Sequence, residues 1–224
     1  MHPLKKIRLG ALFFFASTGL SAAEQTSTIW RLEQPAEIGG HPATVMGHPQ
    51  AVAEKDGSAI HFDGVADGLL LPVNPLVDLT EFTIELLFKP EAGGPAEQRF
   101  LHVQDEHSNR ALMEIRLTGD QWALDTFLHA EQPRADRTLL DRTKRHPAGR
   151  WTWIALVFQN GHMAHYVNGV KELEGDVAFT PMVAGQISLG VRQNRIFWFK
   201  GAIREVRFHP VALAEGALQH AASK

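Results

Sequence analysis

Six polar residues in the middle of the chain fall into a pattern that chemistry can use. "RFLHVQ" carries His102 and Gln104, "ALMEIRL" carries Glu114 and Arg116, "QWALDTFL" carries Asp125, and "ISLGVRQN" carries Arg192. An amide, an imidazole, two carboxylates and two guanidinium groups can recognise sugar hydroxyls, because they make hydrogen bonds in planar, often forked, geometry. They do so together only if they share one surface.

The spacing supplies that surface. The six interleave with apolar residues at a period of two: Leu101 and Val103, then Met113, Ile115 and Leu117, then Trp122, Leu124 and Leu128, then Ile187, Leu189 and Val191. Successive side chains of a strand point to opposite faces of its sheet, so an apolar set facing the core sends the polar six outward. The competing reading is a solvated sheet face laced by cross-strand charge pairs, Glu114 and Arg116 among them.

The elements that must position these residues are strands. "FTIELLFKP" at 82–90 alternates and stops on a proline, which cannot continue a hydrogen-bonded ladder. Similar short runs recur from "SAIHF" to "IFWF" and "AIREVRF", separated by "DG" at 63–64 and 67–68, "TGD" at 118–120, "QNG" at 159–161 and "NG" at 168–169. Only the N-terminal apolar run and "VALAEGALQHAA" at 211–222 read as helical. Many short strands at near-regular spacing indicate an all-β sandwich with a short C-terminal helix.

Lys5, Lys6 and Arg8 precede "LGALFFFASTGL", and "SAA" at 21–23 supplies small residues for cleavage, the pattern of a signal peptide over residues 1–23. The apolar run is shorter than the about 20 residues a membrane span requires. The expectation is a secreted or periplasmic chain, 24–224, with no membrane insertion after signal cleavage. The chain contains no cysteine, so neither disulfides nor a lipidated thiol enter the argument. Loss of Lys5, Lys6 and Arg8 leaves 19 Lys and Arg against 25 Asp and Glu, a formal charge of −6. Nucleic acid and anionic membrane surfaces favour the opposite balance, so neither is an expected partner. About 200 residues is ordinary for one sandwich, and no linker or repeat divides the chain.

"IHFDG", "FTIELLFKP", "RWTWIALVFQNGHMAHYVNGV" and "GQISLGVRQNRIFWFKGAIREVRFHPVAL" follow one another in the order and spacing of a laminin-G-like domain. The chain thus resembles the concanavalin A-like lectin and glucanase superfamily over roughly residues 58–218. The resemblance implies a jelly roll of two stacked antiparallel sheets, one concave, with 82–90 as an inner strand. Such folds hold lectins, hydrolases, lyases and interaction modules alike, so function must come from the site.

The resemblance also suggests two kinds of chemistry. Jelly-roll lyases such as the alginate lyases use a Tyr and a His for proton transfer, with Arg and Gln on the uronate carboxylate. His102, Gln104, Arg116 and Tyr166, the only tyrosine, supply that inventory, although "HVQ" stands where Gln-x-His is expected. The glucanase branch fits less well, since its paired acids on one strand are not present. Laminin-G-like domains commonly hold calcium, and Asp63 and Asp67 lie near the position of that site's first acid. Arg204 stands where a further acid is frequent, which favours a turn role for both "DG" pairs.

Two further signals concern histidine and tryptophan. His162 and His165 are three apart in a strand and point to opposite faces, unlike a helical zinc pair. His165 shares the side of Met163 and Val167, which predicts a buried, hydrogen-bonded imidazole. Phe197, Trp198 and Phe199 in succession must send an aromatic to each face of a strand, making Trp198 a candidate for sugar stacking. The expected function is a non-catalytic carbohydrate-binding or adhesive module for a polysaccharide or glycan. The alternatives are a lyase acting on an acidic polysaccharide and a module for a protein partner.

Overall fold

Asn160–Gly161 and Asn168–Gly169 all take positive φ, from 48° to 76°. That is the type I′ geometry whose twist matches antiparallel strands, so each "NG" closes a tight hairpin. The computed structural model describes residues 26–221, and the expected signal segment lies outside them.

The strands in chain order begin with β1 (Thr28–Arg31), β2 (Glu37–Ile38), β3 (His41–Pro42), β4 (Thr44–Met46), β5 (Gln50–Glu54), β6 (Gly57–Asp63) and β7 (Gly68–Leu71). The long central ones follow: β8 (Phe82–Pro90), β9 (Glu97–Asp105), β10 (Arg110–Thr118) and β11 (Gln121–Ala130). Then come β12 (Ala135–Leu140), β13 (His146–Pro147), β14 (Thr152–Gln159), β15 (His162–Val167), β16 (Val170–Asp176), β17 (Gly185–Leu189) and β18 (Lys200–His209).

They form two eight-stranded antiparallel sheets. The first runs β16-β15-β14-β8-β18-β6-β5, with β1 on β18, and the second runs β12-β11-β10-β9-β17-β7-β4, with β13 on β11. This is the jelly-roll sandwich, and β8 lies inside the first sheet between β14 and β18. Phe82, Ile84, Leu86 and Phe88 of β8 are buried in the core between the sheets. Phe88 meets Phe100 at 4.8 Å and Trp122 at 5.1 Å between ring centres, joining the two sheets. Each such ring contributes about 1.5–3 kcal/mol by leaving water. The alternation also places Leu101, Val103, Met113, Ile115, Leu117, Trp122, Leu124, Leu128, Ile187 and Leu189 in that core, as expected.

Two expected elements come out differently. The helix over 211–222 is a single 3-10 turn, Glu215–Ala217, within the described residues. The amides a helix would use internally go to the first sheet: Leu213 N–H donates to Thr83 Oγ1 at 2.9 Å, and Gln219 N–H to Glu85 Oε1 at 2.6 Å. Leu213 and Leu218 pack with Ala155, Ala164 and Tyr166, which holds the segment flat against the sheet.

The run "IFWF" is irregular rather than a strand. Arg195 and Phe197 have φ near +60°, strained for side chains of this size. Phe199 is fully buried among Phe62, Phe88 and Phe100, while Trp198 is half-buried.

Candidate functional site

On β9 and β10 the polar residues face away from the core, but the ladder between them is not regular. Met113 pairs with Leu101 whereas Glu114 pairs with Arg99, so Phe100 is an extra residue in a bulge. Phe100 and Leu101 both enter the core, and Arg99 turns to the outer face. Simple alternation assigns Arg99 inward, which is why the sequence pattern missed it. Arg110 was missed for another reason: it shares the parity of Glu114 and Arg116 but sits one residue before the apolar run.

The second sheet's outer face therefore gathers His102, Gln104, Glu114, Arg116 and Asp125, as expected, together with Arg99 and Arg110. Arg192 reaches the same neighbourhood by a different route. The strand ends at Leu189, Gly190 turns with φ +79°, and the following loop folds back over β9. Gln193 N–H donates to His102 Nδ1 at 3.2 Å, and Gln193 Nε2 donates to the carbonyls of His102 and Gln186, both at 3.0 Å.

Outward here does not mean exposed. Glu114 and Asp125 are opposite each other across β10 and β11, with side chains 5 % and 1 % exposed. Arg99 Nε donates to Glu114 Oε1 at 2.9 Å. Arg116 lies 2.6 Å from Asp125 Oδ2, 2.9 Å from Glu97 and 3.4 Å from Glu114. These contacts make a single network in which Arg116 is the hub. Some are ion-pair distances without hydrogen-bond alignment, which leaves Arg116 Nε and Nη1 and both Asp125 oxygens without aligned partners. Phe197 covers the guanidinium of Arg99, 3.6 Å from its ring centre.

Burial sets the protonation states. Burial, and then the neighbouring Asp125 charge, push Glu114 up to about 7, against the pull of Arg99 and Arg116. Asp125 is raised as well, by burial, with Arg116 and Arg99 opposing. His102 is pushed down to about 3, first by burial and then by Arg192, Arg110 and Arg99. The imidazole is therefore neutral, and since Nδ1 accepts from Gln193, its proton is on Nε2. That Nε2–H is buried, out of reach of solvent.

Tyr166 does not join this group. It lies on the outer face of the first sheet under Leu213 and Leu218, where burial pushes its phenol up. Two sheets with a core about 10 Å thick separate it from His102 and Arg116. The Tyr, His, Arg and Gln inventory of a lyase is thus divided between opposite sides of the sandwich.

The histidine readings hold. His165 is buried with Nδ1 3.0 Å from Thr126 Oγ1, and His162 on the other face meets Asp176 at 2.6 Å.

Asp63 Oδ1 accepts the N–H groups of Val65, Ala66 and Asp67, while Asp67 accepts those of His48 and Asp63. These are turn-closing bonds. Both aspartates thus serve turns, the role expected of the two "DG" pairs. Among the described residues no three His, Asp or Glu side chains cluster as a metal site. No helix there is long and apolar enough to cross a membrane.

A two-sheet jelly roll with a polar outer sheet face is an architecture shared by many binding modules and enzymes. The laminin-G-like model of the concanavalin A-like lectin/glucanases superfamily matches residues 63–219, and the chain belongs to that family. Among curated proteins nothing matches. Among solved structures, domain 4 of AbnA, a GH43 extracellular arabinanase from Geobacillus stearothermophilus in complex with arabinotriose, is similar with a TM-score of 0.62. It is 22% identical, over 84% of this chain and 94% of that one. The botulinum neurotoxin serotype D binding domain is similar at TM-score 0.60 and 13% identity, over 85% of this chain and 49% of that one. The binding domain of botulinum neurotoxin DC in complex with SialylT gives 0.57 and 13%, with the same coverage. The chain thus spans about half of each toxin domain, and identities this low express shared fold alone.

Proposed function

We propose that the chain is a secreted or periplasmic carbohydrate-binding module, a single domain over 24–224, which takes a polysaccharide or glycan on the outer face of its second sheet without transforming it. His102, Gln104, Glu114, Arg116, Asp125 and Arg192 form that face, with Arg99 and Arg110 added and Tyr166 removed from the set.

The observation that carries the reading is a polar sheet face on which Gln104, Arg110 and Arg192 stay partly open to solvent, beside the buried ion network of Arg99, Glu114, Arg116 and Asp125. Sugar hydroxyls are natural acceptors for such groups, and fixed donors lose little entropy on binding. The separation of Tyr166 from His102 and the enclosure of Glu114 and Asp125 by arginines favour binding over acid–base catalysis. Arabinotriose in a similar domain agrees with a glycan as the ligand class.

Affinity electrophoresis of the purified protein through gels containing neutral and acidic polysaccharides tests the reading. Retardation by at least one of them is expected. Unretarded migration through every gel would overturn it.

A further inference from the structure

Charge on the second sheet's outer face is unevenly matched. Glu97, Glu114 and Asp125 are taken by Arg99 and Arg116. Arg110 and Arg192 form no salt bridge among the described residues, and Arg110 Nε is buried without a partner. Glu131 bonds His129 at 3.1 Å and feels Arg110 only as a more distant charge.

These two cations are brought together by the fold. Arg110 on β10 stands opposite Gln104 on β9, and Gln104 stands opposite Gln186 on β17. The loop bearing Arg192 is fastened over the same strands through Gln193, to His102 and to Gln186. Burial first, and then the charges of Arg99 and Arg110, disfavour the charge on Arg192, with Glu114 opposing. A separate cleft of about 260 Å³ opens at the end of β9, lined by Pro72, Gln104, Asp105, Glu106, Gly185 and Gln186, with neither arginine among its walls. Like charges crowded at a half-buried surface are unfavourable unless something anionic relieves them.

We propose that Arg110 and Arg192 form a subsite for the carboxylate of an acidic sugar on the outer face of the second sheet, beside Gln104. This rests on the glycan-binding reading and narrows it to uronate-type ligands. Guanidinium forks match the two oxygens of a carboxylate.

The test is isothermal titration of the protein, Arg110→Gln and Arg192→Gln with oligomers of galacturonate, mannuronate and glucuronate, their carboxyl-reduced counterparts, and dextran sulfate. The expected result is that at least one oligouronide binds about 10- to 100-fold more tightly than its reduced form, the range for hydrogen bonds to a charged group. Each arginine variant should lose most of that preference. The melting temperature of both variants should stay level or rise, since a crowded charge is removed. A purely structural role for these arginines would lower it.

Equal binding of oligouronides and reduced oligomers overturns the subsite and leaves the glycan module standing. Binding of dextran sulfate alone overturns the carboxylate assignment. Failure to bind any of them overturns the subsite, and retention on a neutral polysaccharide gel would then show the module itself intact.

Discussion

The outer faces of the two sheets obey the same alternation and end in opposite states. On the first sheet the outward residues of β8 and β15 include Thr83, Glu85, Ala164 and Tyr166, and the C-terminal segment is laid over them. Glu85 accepts from Gln219 N–H and also meets His209 Nε2 at 2.9 Å, whose Nδ1 meets Ser27 Oγ at 2.7 Å. Its polar groups tie both ends of the described chain to the sandwich. On the second sheet the outward residues are tied to one another as ions, with the 190–199 loop passing across. The first face closes its hydrogen bonds on the terminal segment, whereas on the second Gln104, Arg110 and Arg192 stay partly open to solvent.

The sharpest way to break this comparison is Arg116→Ala. It removes the hub and leaves Asp125 buried beside Glu114 with its nearest cation gone. Breaking one side of a buried ion pair typically costs about 3–5 kcal/mol. Urea denaturation should show a loss of that order with an unchanged slope. A loss below about 1 kcal/mol would mean the network is solvated and the second face is an ordinary charged surface.

A pH series on Glu114→Gln probes the same network. The carboxyl is held near 7 in the folded chain against a usual 4.5. A carboxyl with a raised folded value favours the protonated protein, so its contribution is fully present below about 4.5 and is lost as pH rises through about 7. One unit is worth roughly 1.4 kcal/mol, so the wild type should lose on the order of 3 kcal/mol from this group between pH 4.5 and 8. Glu114→Gln should flatten that part of the curve, while Asp125, shifted the same way, keeps a residual slope. An unaltered curve would show that the neighbouring arginines keep Glu114 ionised throughout.

Leu218→Ala addresses the covered face. Leu218 is buried against Ala155, Ala164 and Tyr166, and its truncation should cost about 2 kcal/mol, the low end for a buried leucine because the site borders solvent. Glycan retention should not change. Reduced retention with an intact melting transition would place the ligand on the first face and reverse the comparison.

How far the sequence could be read follows from where the backbone is regular. Period-two alternation located the core from Leu101 to Leu189 and sent His102, Glu114 and Asp125 to one face, because those strands follow the pleat. It failed at Phe100, where one extra residue turned Arg99 outward, and at Phe197, whose positive φ no local preference announces. The helical pattern at 211–222 was overridden by bonds to Thr83 and Glu85, more than a hundred residues earlier. Alternation gives direction but not cover, so it could not show that Tyr166 lies beneath a segment of the chain, or that Glu114 is sealed by arginines.

His162 refines the comparison at its weakest point. It shares the outer side of β15 with Ala164 and Tyr166 but is half-exposed, with Asp176 at 2.6 Å and Glu174 at 3.4 Å. The hydrogen bond to Asp176, and then that to Glu174, raises its affinity for a proton. A raised histidine stabilises the fold fully below its unfolded value near 6.5, and that contribution disappears as pH rises through the folded value. Exposure and screening keep it small, so His162→Ala should cost within roughly 0.5 kcal/mol at pH 6 and nothing measurable at pH 8.5. A thermal melt at both pH values checks it. A pH-independent loss above about 1 kcal/mol would mean that the ring packs as part of the covered patch, extending that patch to the hairpin end of the first sheet.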